Sequence, residues 1–431
     1  MSIPAQDDSA RECERRYDGH LDLRALLDAA EAAPPAEGVD AMAAVLADTV
    51  SATEVSLLIA DISGLALARL ARAPAPSQPL PLRPAGERVR IDGTPAGQAL
   101  HTQRVQVCSD PHGFWVYVPV TERGEALGVL ELLLAMSPSE RIVDYLASAG
   151  HALAYVIIAD RRYSDLYELG ERSTMLTLEA EIQRRLLPGS YACQGPQFAL
   201  AGWLVPADEA GGDTFDYMVD RDTLHLSITD AMGHGVAAAQ LATLGVGSLR
   251  NNRRRGLGLV EQAQYASAAI AANAAPDQFV TALLGRIDLT TGAVEWVNAG
   301  HMNPLLVRDG QVTEIALDPG LVLGVTPELT YEIQRFQLSP GDRLALVTDG
   351  MFERGAAEAE IETLLGTLGD LHPRETVKVL TDAVLHVTGG AMRDDATVLI
   401  IDWYGDSRGV LTRLPIADAW PATRAATRGE G

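Results

Sequence analysis

Positive charge is in short supply in this chain. Among its 431 residues, Asp and Glu number 58 against 34 for Lys and Arg, which gives a formal net charge of −24. That balance repels phosphate backbones and anionic lipid, so neither nucleic acid nor a membrane surface is an expected partner. Lysine is nearly absent: Lys378 is the only one, and it falls in a helical pattern far from any Gly-rich loop. With no GxxxxGK[ST] segment either, a kinase or ATPase reading has no support. The one basic cluster, Asn251 to Arg255, reads as a solvated turn after a helix in preference to a docking point for an acidic or phosphorylated partner.

Cysteine is equally scarce. Cys13, Cys108 and Cys193 form no CxxC pair, which excludes a disulfide framework and a zinc site and suits a reducing cytoplasm. The N-terminus is polar, without a signal-peptide core. The most apolar stretch, Ala126 to Met136, is short and contains Glu131, so no membrane span is expected. Hydrophobic residues nonetheless make up 47% of the chain, enough for sizeable cores and too many for global disorder.

The length suits two or three domains. Residues 1–20 read as a polar leader. Residues 21–160 form a first unit: an Ala/Leu-rich helical region interrupted at Pro34-Pro35, a strand at Val55 to Ala60, and a proline-marked loop from Pro74 to Pro84. A strand at Arg88 to Ile91 and a short helix at Pro95 to His101 follow. Trp115 to Val120 and Ala126 to Leu134 then flank a polar, Gly-bearing connection, the signature of a β-hairpin. A helix from Ser139 to Ala159 closes the unit. Tyr163 to Leu187 reads as one continuous helix whose Leu166, Leu169, Ser173, Leu176, Ala180, Gln183 and Leu187 keep heptad spacing; a parallel two-helix coil and a surface helix are equally good readings. Pro188-Gly189 ends it.

Residues 195–404 form the last unit. Strand patterns run over Phe198 to Val205, Leu224 to Thr229, Phe279 to Asp288, Val294 to Asn298, Tyr331 to Leu338, Leu344 to Thr348 and Thr397 to Trp403. Helical patterns cover Val236 to Arg250, Val260 to Ala274 and Arg374 to Val387. Consecutive strands with short turns argue for antiparallel sheets with helices outside them, an α+β class. The tail from Gly405 to Gly431 loses periodicity and reads as disordered.

Four aspartates stand out in this unit: Asp213 in GGD, Asp230 in DAMGHG, Asp349 in TDG and Asp394 in RDDATV. Each alone reads as well as a turn residue, an N-cap or a solvated charge pair. All four in one unit, three of them at the ends of strand-like runs, read as hard oxygen ligands converging on one point. Carboxylates gathered that closely repel unless cations neutralise them, and Mg²⁺ or Mn²⁺ takes such ligands. Two such ions suit hydrolysis of a phosphate ester. No Cys-x5-Arg loop surrounds any cysteine, which speaks for direct hydrolysis without a covalent intermediate.

The stretches AEIQRRLLP (180–188), AGWLVPADEAGGDTFDY (201–217), ITDAMGHGVAAAQLA (228–242), FVTALLGRIDLTTGAVEWVNAGHMNPLLV (279–307), GLVLGV (320–325), LSPGDRLALVTDGMFE (338–353) and RDDATVLII (393–401) resemble bacterial PPM-type serine/threonine phosphatases of the SpoIIE kind. The resemblance implies an αββα sandwich of two antiparallel sheets with a dinuclear Mn²⁺ or Mg²⁺ site between them. It implies Asp230 as the bridging ligand, Ala231 lending its backbone carbonyl, and Asp213, Asp349 and Asp394 completing the site directly or through waters. The choice of Asp394 over Asp395 rests on motif alignment. Thr214 after GGD, Ala231-Met232 and Arg354 depart from the commoner family pattern, but none removes a carboxylate. His234 and His301 are candidates for helping at the site, with a structural role the favoured reading of each.

The order of elements in residues 21–160, with GQALHTQRVQVCSD and GEALGVLELL, resembles a GAF-type sensor domain. There His101, Cys108 and His112 read as ordinary loop and core residues in preference to chromophore, haem or metal ligands, and the sensed ligand is unnamed. The phosphatase resemblance implies a phosphorylated regulatory protein as substrate, of the STAS-type anti-anti-sigma class, and the heptad spacing of the linker helix allows a homodimer through it. The alternative reading is a catalytically idle module that senses a ligand and sequesters a partner.

Overall fold

The computed structural model describes residues 22–61, 64–73, 87–172, 176–207, 211–275, 277–326, 330–352, 356–389 and 392–405. The expected leader, the proline-marked loop and all but the first residue of the expected tail lie outside these. The chain divides into two compact units that meet between residues 175 and 176.

The first unit is built on a six-stranded antiparallel sheet of order β3-β2-β1-β6-β5-β4. Its strands are β1 (Ala52–Ala60), β2 (Ala66–Ala73), β3 (Arg88–Arg90), β4 (Gln106–Asp110), β5 (Gly113–Glu122) and β6 (Glu125–Leu134). β5 and β6 form the expected hairpin. Helices α1 (Leu23–Ala32), α2 (Gly38–Val50) and α4 (Glu140–Asp160) contribute Leu26, Leu46, Leu146 and Leu153 to a core with Val55, Leu57, Val118 and Leu132. α3 (Pro95–Thr102) joins a smaller cluster with Leu58, Leu67 and Val129, the alternate residues of the same strands. β2 and β4 lie in stretches where no strand was expected, because Arg and polar residues interrupt their apolar alternation. α4 is long and apolar enough to cross a membrane by length and composition, which the sequence reading missed. It buries Ile142, Leu146, Leu153 and Ile157 in this unit's core.

The expected continuous helix from Tyr163 to Leu187 is not observed. Helix α5 (Leu166–Glu171) stops where Arg172 turns to extended backbone, and α6 (Leu178–Leu186) restarts on its own N-cap, Thr177, whose hydroxyl accepts from the amide of Ala180. Tyr167 of α5 is buried in the first unit, whereas Gln183 of α6 and Leu187 are buried in the second. Two positions of the expected heptad seam are thus already occupied by packing within one chain, and the coil-mediated homodimer loses its continuous helix.

The second unit contains two antiparallel sheets. The first is five-stranded, of order β15-β12-β11-β10-β9, from β9 (Thr214–Val219), β10 (Thr223–Ala231), β11 (Val280–Asp288), β12 (Ala293–Ala299) and β15 (Gln334–Gln337). The other is six-stranded, of order β14-β13-β16-β17-β8-β7, from β7 (Ala192–Gln194), β8 (Phe198–Val205), β13 (Leu305–Arg308), β14 (Gln311–Glu314), β16 (Arg343–Val347) and β17 (Ala396–Trp403). Phe215, Ile228 and Trp296 of the five-stranded sheet meet Leu200, Leu346, Leu399 and Ile401 of the six-stranded sheet in one core.

Each outer face carries a helical pair. α7 (Gly235–Arg254) and α8 (Leu259–Asn273) pack Leu241, Leu249 and Ile270 on Ala282, Leu284 and Val297. α9 (Ala356–Thr367) and α10 (Pro373–Thr388) pack Leu365, Leu380 and Val384 on Val347, Val398 and Ile400. With both faces covered, the middle of β17, Val398 to Ile401, reads as an unbroken apolar run with no alternation. The result is the expected order of layers, helix pair, sheet, sheet, helix pair.

Candidate metal centre

Five strand ends converge at one end of the sandwich. Asp213 immediately precedes β9, Asp230 and Ala231 end β10, Asp349 opens a single 3-10 turn (Asp349–Phe352) just after β16, and Asp394-Asp395 precede β17 beside the end of β8. Two glycines make the convergence possible. A Cβ on Gly212 would lie 2.5 Å from the Cβ of Ala231 and 2.6 Å from its carbonyl oxygen, so the GGD loop lies flat on the end of β10. A Cβ on Gly350 would collide with the carbonyl oxygen of Asp395, so the TDG turn lies equally close to the start of β17.

The carboxylates have distinct surroundings. Asp213 is buried, and its Oδ2 accepts from the hydroxyls of Thr348 and Thr397, both at 2.7 Å. Thr348 and Thr397 also bond to each other through backbone and side chain. This pair ties Asp213, which leads into one sheet, to adjacent strands of the other. Burial, followed by the charges of Asp230 and Asp395, holds the Asp213 carboxyl well above the usual carboxylate range. Asp230 is partly buried. Desolvation first, then Asp349, Asp394 and Asp395, push its carboxyl up to about 7. Asp349 and Asp394 are exposed.

Asp395 is buried and takes three internal hydrogen bonds. Its Oδ1 accepts from the amides of Ala207 (2.8 Å) and Gly211 (3.1 Å), and its Oδ2 accepts from Gln183 Nε2. Asp394 differs: its Oδ1 accepts from the amide of Asp395 at 2.9 Å while its side chain faces solvent. The motif alone left these neighbours interchangeable; their environments separate them.

The four aspartates singled out in the sequence therefore share one electrostatic neighbourhood. They do not form a ready-made cage. Among the described residues, no group of three or more His, Cys, Asp or Glu side chains stands together as a metal would require. Bare carboxylates that raise one another's pKa are expected to stand apart until a cation draws them in. Hard oxygen donors, mutual repulsion and a site open on the Asp349 and Asp394 side fit a divalent ion such as Mn²⁺ or Mg²⁺.

Other residues singled out in the sequence take structural places. His301 is buried: Nδ1 is 2.8 Å from the Thr281 hydroxyl, and its amide donates to Asn298 Oδ1. Burial pulls its pKa down to about 4, so it is a neutral ring at physiological pH. His234 is the exposed N-cap residue of α7. Thr214, where an aromatic is commoner in the resembling family, bonds to Thr229 across β9 and β10. In the basic cluster, Arg253 is spent on an ion pair with buried Asp216 (2.9 Å), and Arg255 lies over the ring of Tyr265. In the first unit, His101, Cys108 and His112 lie on α3, on β4 and in the turn after it.

Sequence reasoning missed three contributors. Gln183 was placed on a coiled-coil seam; its Nε2 donates to Asp213 O (3.0 Å) as well as to Asp395. Thr348 and Thr397 were read only as parts of strands. A polar residue inside an otherwise apolar strand, next to an acidic motif, was the available signal.

Two outcomes follow from these environments. Asp395→Ala leaves the amides of Ala207 and Gly211 without this acceptor and removes one of the two bonds of Gln183 Nε2, and is expected to cost about 2–4 kcal/mol in chemical denaturation, whereas Asp394→Ala costs less than about 1 kcal/mol. Calorimetric Mn²⁺ titration of the Asp394→Ala protein is expected to show the affinity loss that its stability does not. The raised Asp230 pKa means the metal-free fold holds a proton that the unfolded chain has lost, so stability contributed at low pH is lost as pH rises from about 4 through 7. Thermal melting in chelator is therefore expected to fall across that window, less steeply for Asp230→Asn, and added Mn²⁺ is expected to restore the high-pH end.

A family model for stage II sporulation protein E (SpoIIE) matches residues 220–404. The chain is 22% identical over 237 residues to the phosphoserine phosphatase RsbU of Bacillus subtilis (strain 168), covering 54% of this chain and 70% of RsbU. It spans between 24% and 46% of the length of four further curated relatives. Among solved structures, the RsbU and RsbW domains of Rv1364c from Mycobacterium tuberculosis share 26% identity, with 49% of this chain and 62% of that chain covered and a TM-score of 0.43. The catalytic domain of the serine/threonine phosphatase PstP, solved with two manganese ions, shares 20% identity over 48% of this chain and 99% of its own, with a TM-score of 0.39. The second unit of this chain, over residues 220–404, is a SpoIIE-type domain of the PPM serine/threonine phosphatases.

Proposed function

We propose that the chain is a divalent-cation-dependent phosphatase that hydrolyses phosphoserine or phosphothreonine on a regulatory protein, with a STAS-type anti-anti-sigma factor as the target class, under control of its first unit. The observation that carries this reading is the shared electrostatic neighbourhood of Asp213, Asp230, Asp349 and Asp394 at the strand ends. Burial and acidic neighbours hold the carboxyls of Asp213 and Asp230 above the usual range, and the bonds described above give neither of them a basic partner.

Asp230, the carbonyl of Ala231, Asp213, Asp349 and Asp394 are assigned to hold two Mn²⁺ or Mg²⁺ ions. When bound, such ions lower the pKa of water and offset charge on phosphoryl oxygens. The protein's part is positional. Thr348 and Thr397 fix the Asp213 carboxylate, Gly212 lets it approach the end of β10, and Asp395 clamps the GGD loop through two amides. Exposed Asp349 and Asp394 stand on the side open to a phosphorylated side chain. His301, neutral and enclosed, is assigned to holding the loop after β12 in preference to acting as a general acid.

Control is assigned to α6. It begins just after the boundary of the two units, and through Gln183 it touches both the Asp213 loop and Asp395. A signal read by the first unit, which we take as GAF-like, would reach the site by altering how α6 is held.

Asp230→Asn is expected to lower Mn²⁺-dependent hydrolysis of a phosphopeptide by roughly 100-fold or more while the protein remains folded; wild-type activity in that variant would sink the reading. Hydrolysis of p-nitrophenyl phosphate that needs Mn²⁺ and stops with chelator separates an enzyme from an idle partner-binding module. Removing residues 1–175 is expected to change the Mn²⁺ concentration giving half-maximal activity, and unchanged metal dependence would count against control by the first unit.

A further inference from the structure

The sequence reading left Arg250 and Asp216 without a role. Asp216 lies on β9, three residues past Asp213, and is buried at 4% exposure. Arg250 Nε donates to its Oδ2 (3.1 Å) and Nη2 to its Oδ1 (2.9 Å), a two-pronged pairing; Arg253 Nη1 adds a bond to Oδ2 at 2.9 Å. Arg250 differs from Arg253 in a second respect besides gripping both oxygens. Its Nη2 also donates to the carbonyl of Leu186 at 2.6 Å, at the C-terminal end of α6. Carbonyls of a last helical turn have no partner within the helix, and the helix dipole makes that end favourable for a cation. Arg250 therefore joins three elements: β9 through Asp216, α6 through Leu186, and its own helix α7.

α7 starts at Gly235, directly after the DAMGH segment that begins with Asp230, and Arg250 lies four turns along it. One helix thus has the Asp230 motif at one end and the seat of α6 at the other. α6 in turn meets the acidic site at Gln183, one turn before Leu186. A planar guanidinium held on two sides by a buried carboxylate has little freedom, so the carbonyl it grips is fixed relative to β9.

We propose that Arg250 is a positioning residue for the metal site: anchored on Asp216, it seats the C-terminal end of α6 so that Gln183 holds the Asp213 loop and Asp395 in the arrangement that accepts cations. Arg253 shares the carboxylate but not the helix and is its internal control. The inference rests on the metal-dependent reading of the site given above.

The test compares Arg250→Lys, Arg253→Lys, Gln183→Ala and the double variant Arg250→Lys/Gln183→Ala in the full chain. Each lysine keeps a cation beside buried Asp216, so the fold is retained, but a single ammonium at position 250 cannot reproduce a fork that grips both carboxylate oxygens and the Leu186 carbonyl. Mn²⁺ binding is read by calorimetry, and activity is read as the Mn²⁺ concentration for half-maximal rate against the rate at saturation. Arg250→Lys is expected to weaken Mn²⁺ binding by about 10-fold with the saturated rate near wild type, and Arg253→Lys by less than about 2-fold. The double variant is expected to bind no more weakly than Gln183→Ala alone, because both changes act through the same contact. Equal effects of the two lysine variants, or multiplying effects of Arg250→Lys and Gln183→Ala, would overturn the proposal. Failure of the wild-type chain to bind Mn²⁺ would instead overturn the reading of the site itself.

Discussion

Acidic side chains brought together against their own repulsion are the constraint around which the second unit is organised. Asp213 is fully enclosed, and burial alone would disfavour its charge before any neighbour is considered. The fold offers it two hydroxyls, from Thr348 and Thr397, with no cation among the bonds described. Where a structural carboxylate is needed, the same domain does supply arginine: Asp216 receives Arg250 and Arg253, Asp342 receives Arg308, and Asp402 receives Arg343. Paired carboxylates hold the sandwich together, whereas Asp213 and Asp230, with no arginine among the bonds described, lie at one set of strand ends. That segregation separates a site from a collection of surface acids.

Much of this was legible in the sequence because the physics is local. β8, β10, β11, β16 and β17 are apolar runs bounded by turns, and in a sandwich covered on both faces such runs have few alternatives. The glycines of GGD and TDG mark places where backbones touch, which the structure realises at Ala231 and Asp395. What was not legible depends on contacts remote in sequence. Gln183 and Asp395 are 212 residues apart, and nothing in a heptad count distinguishes a glutamine on a coil seam from one inserted into a site. The linker was read as one helix because its leucines keep a helical period; that period says which side of each segment is apolar, not whether one helix runs through Arg172. In the first unit, β2 and β4 were missed for a related reason: cross-strand pairing on both sides holds β2 in place although Arg69 and its neighbours break the apolar alternation.

The adjacent acids of the RDD motif show how one strand entrance serves two purposes. Asp394 and Asp395 lie at the bend just before β17, where one side chain is exposed and the next is buried. Asp395, facing in, takes two backbone amides of the GGD approach and the amide of Gln183, so all the bonds found for it hold the loops in place. Asp394, facing out, keeps a carboxylate near Asp230 and open to solvent. A single aspartate could not do both, since an anion that accepts three internal bonds has little lone-pair capacity left for a cation. Seen this way, the doubled Asp is a positional necessity: the outer residue can be offered to a ligand because the inner one fixes the backbone that carries it.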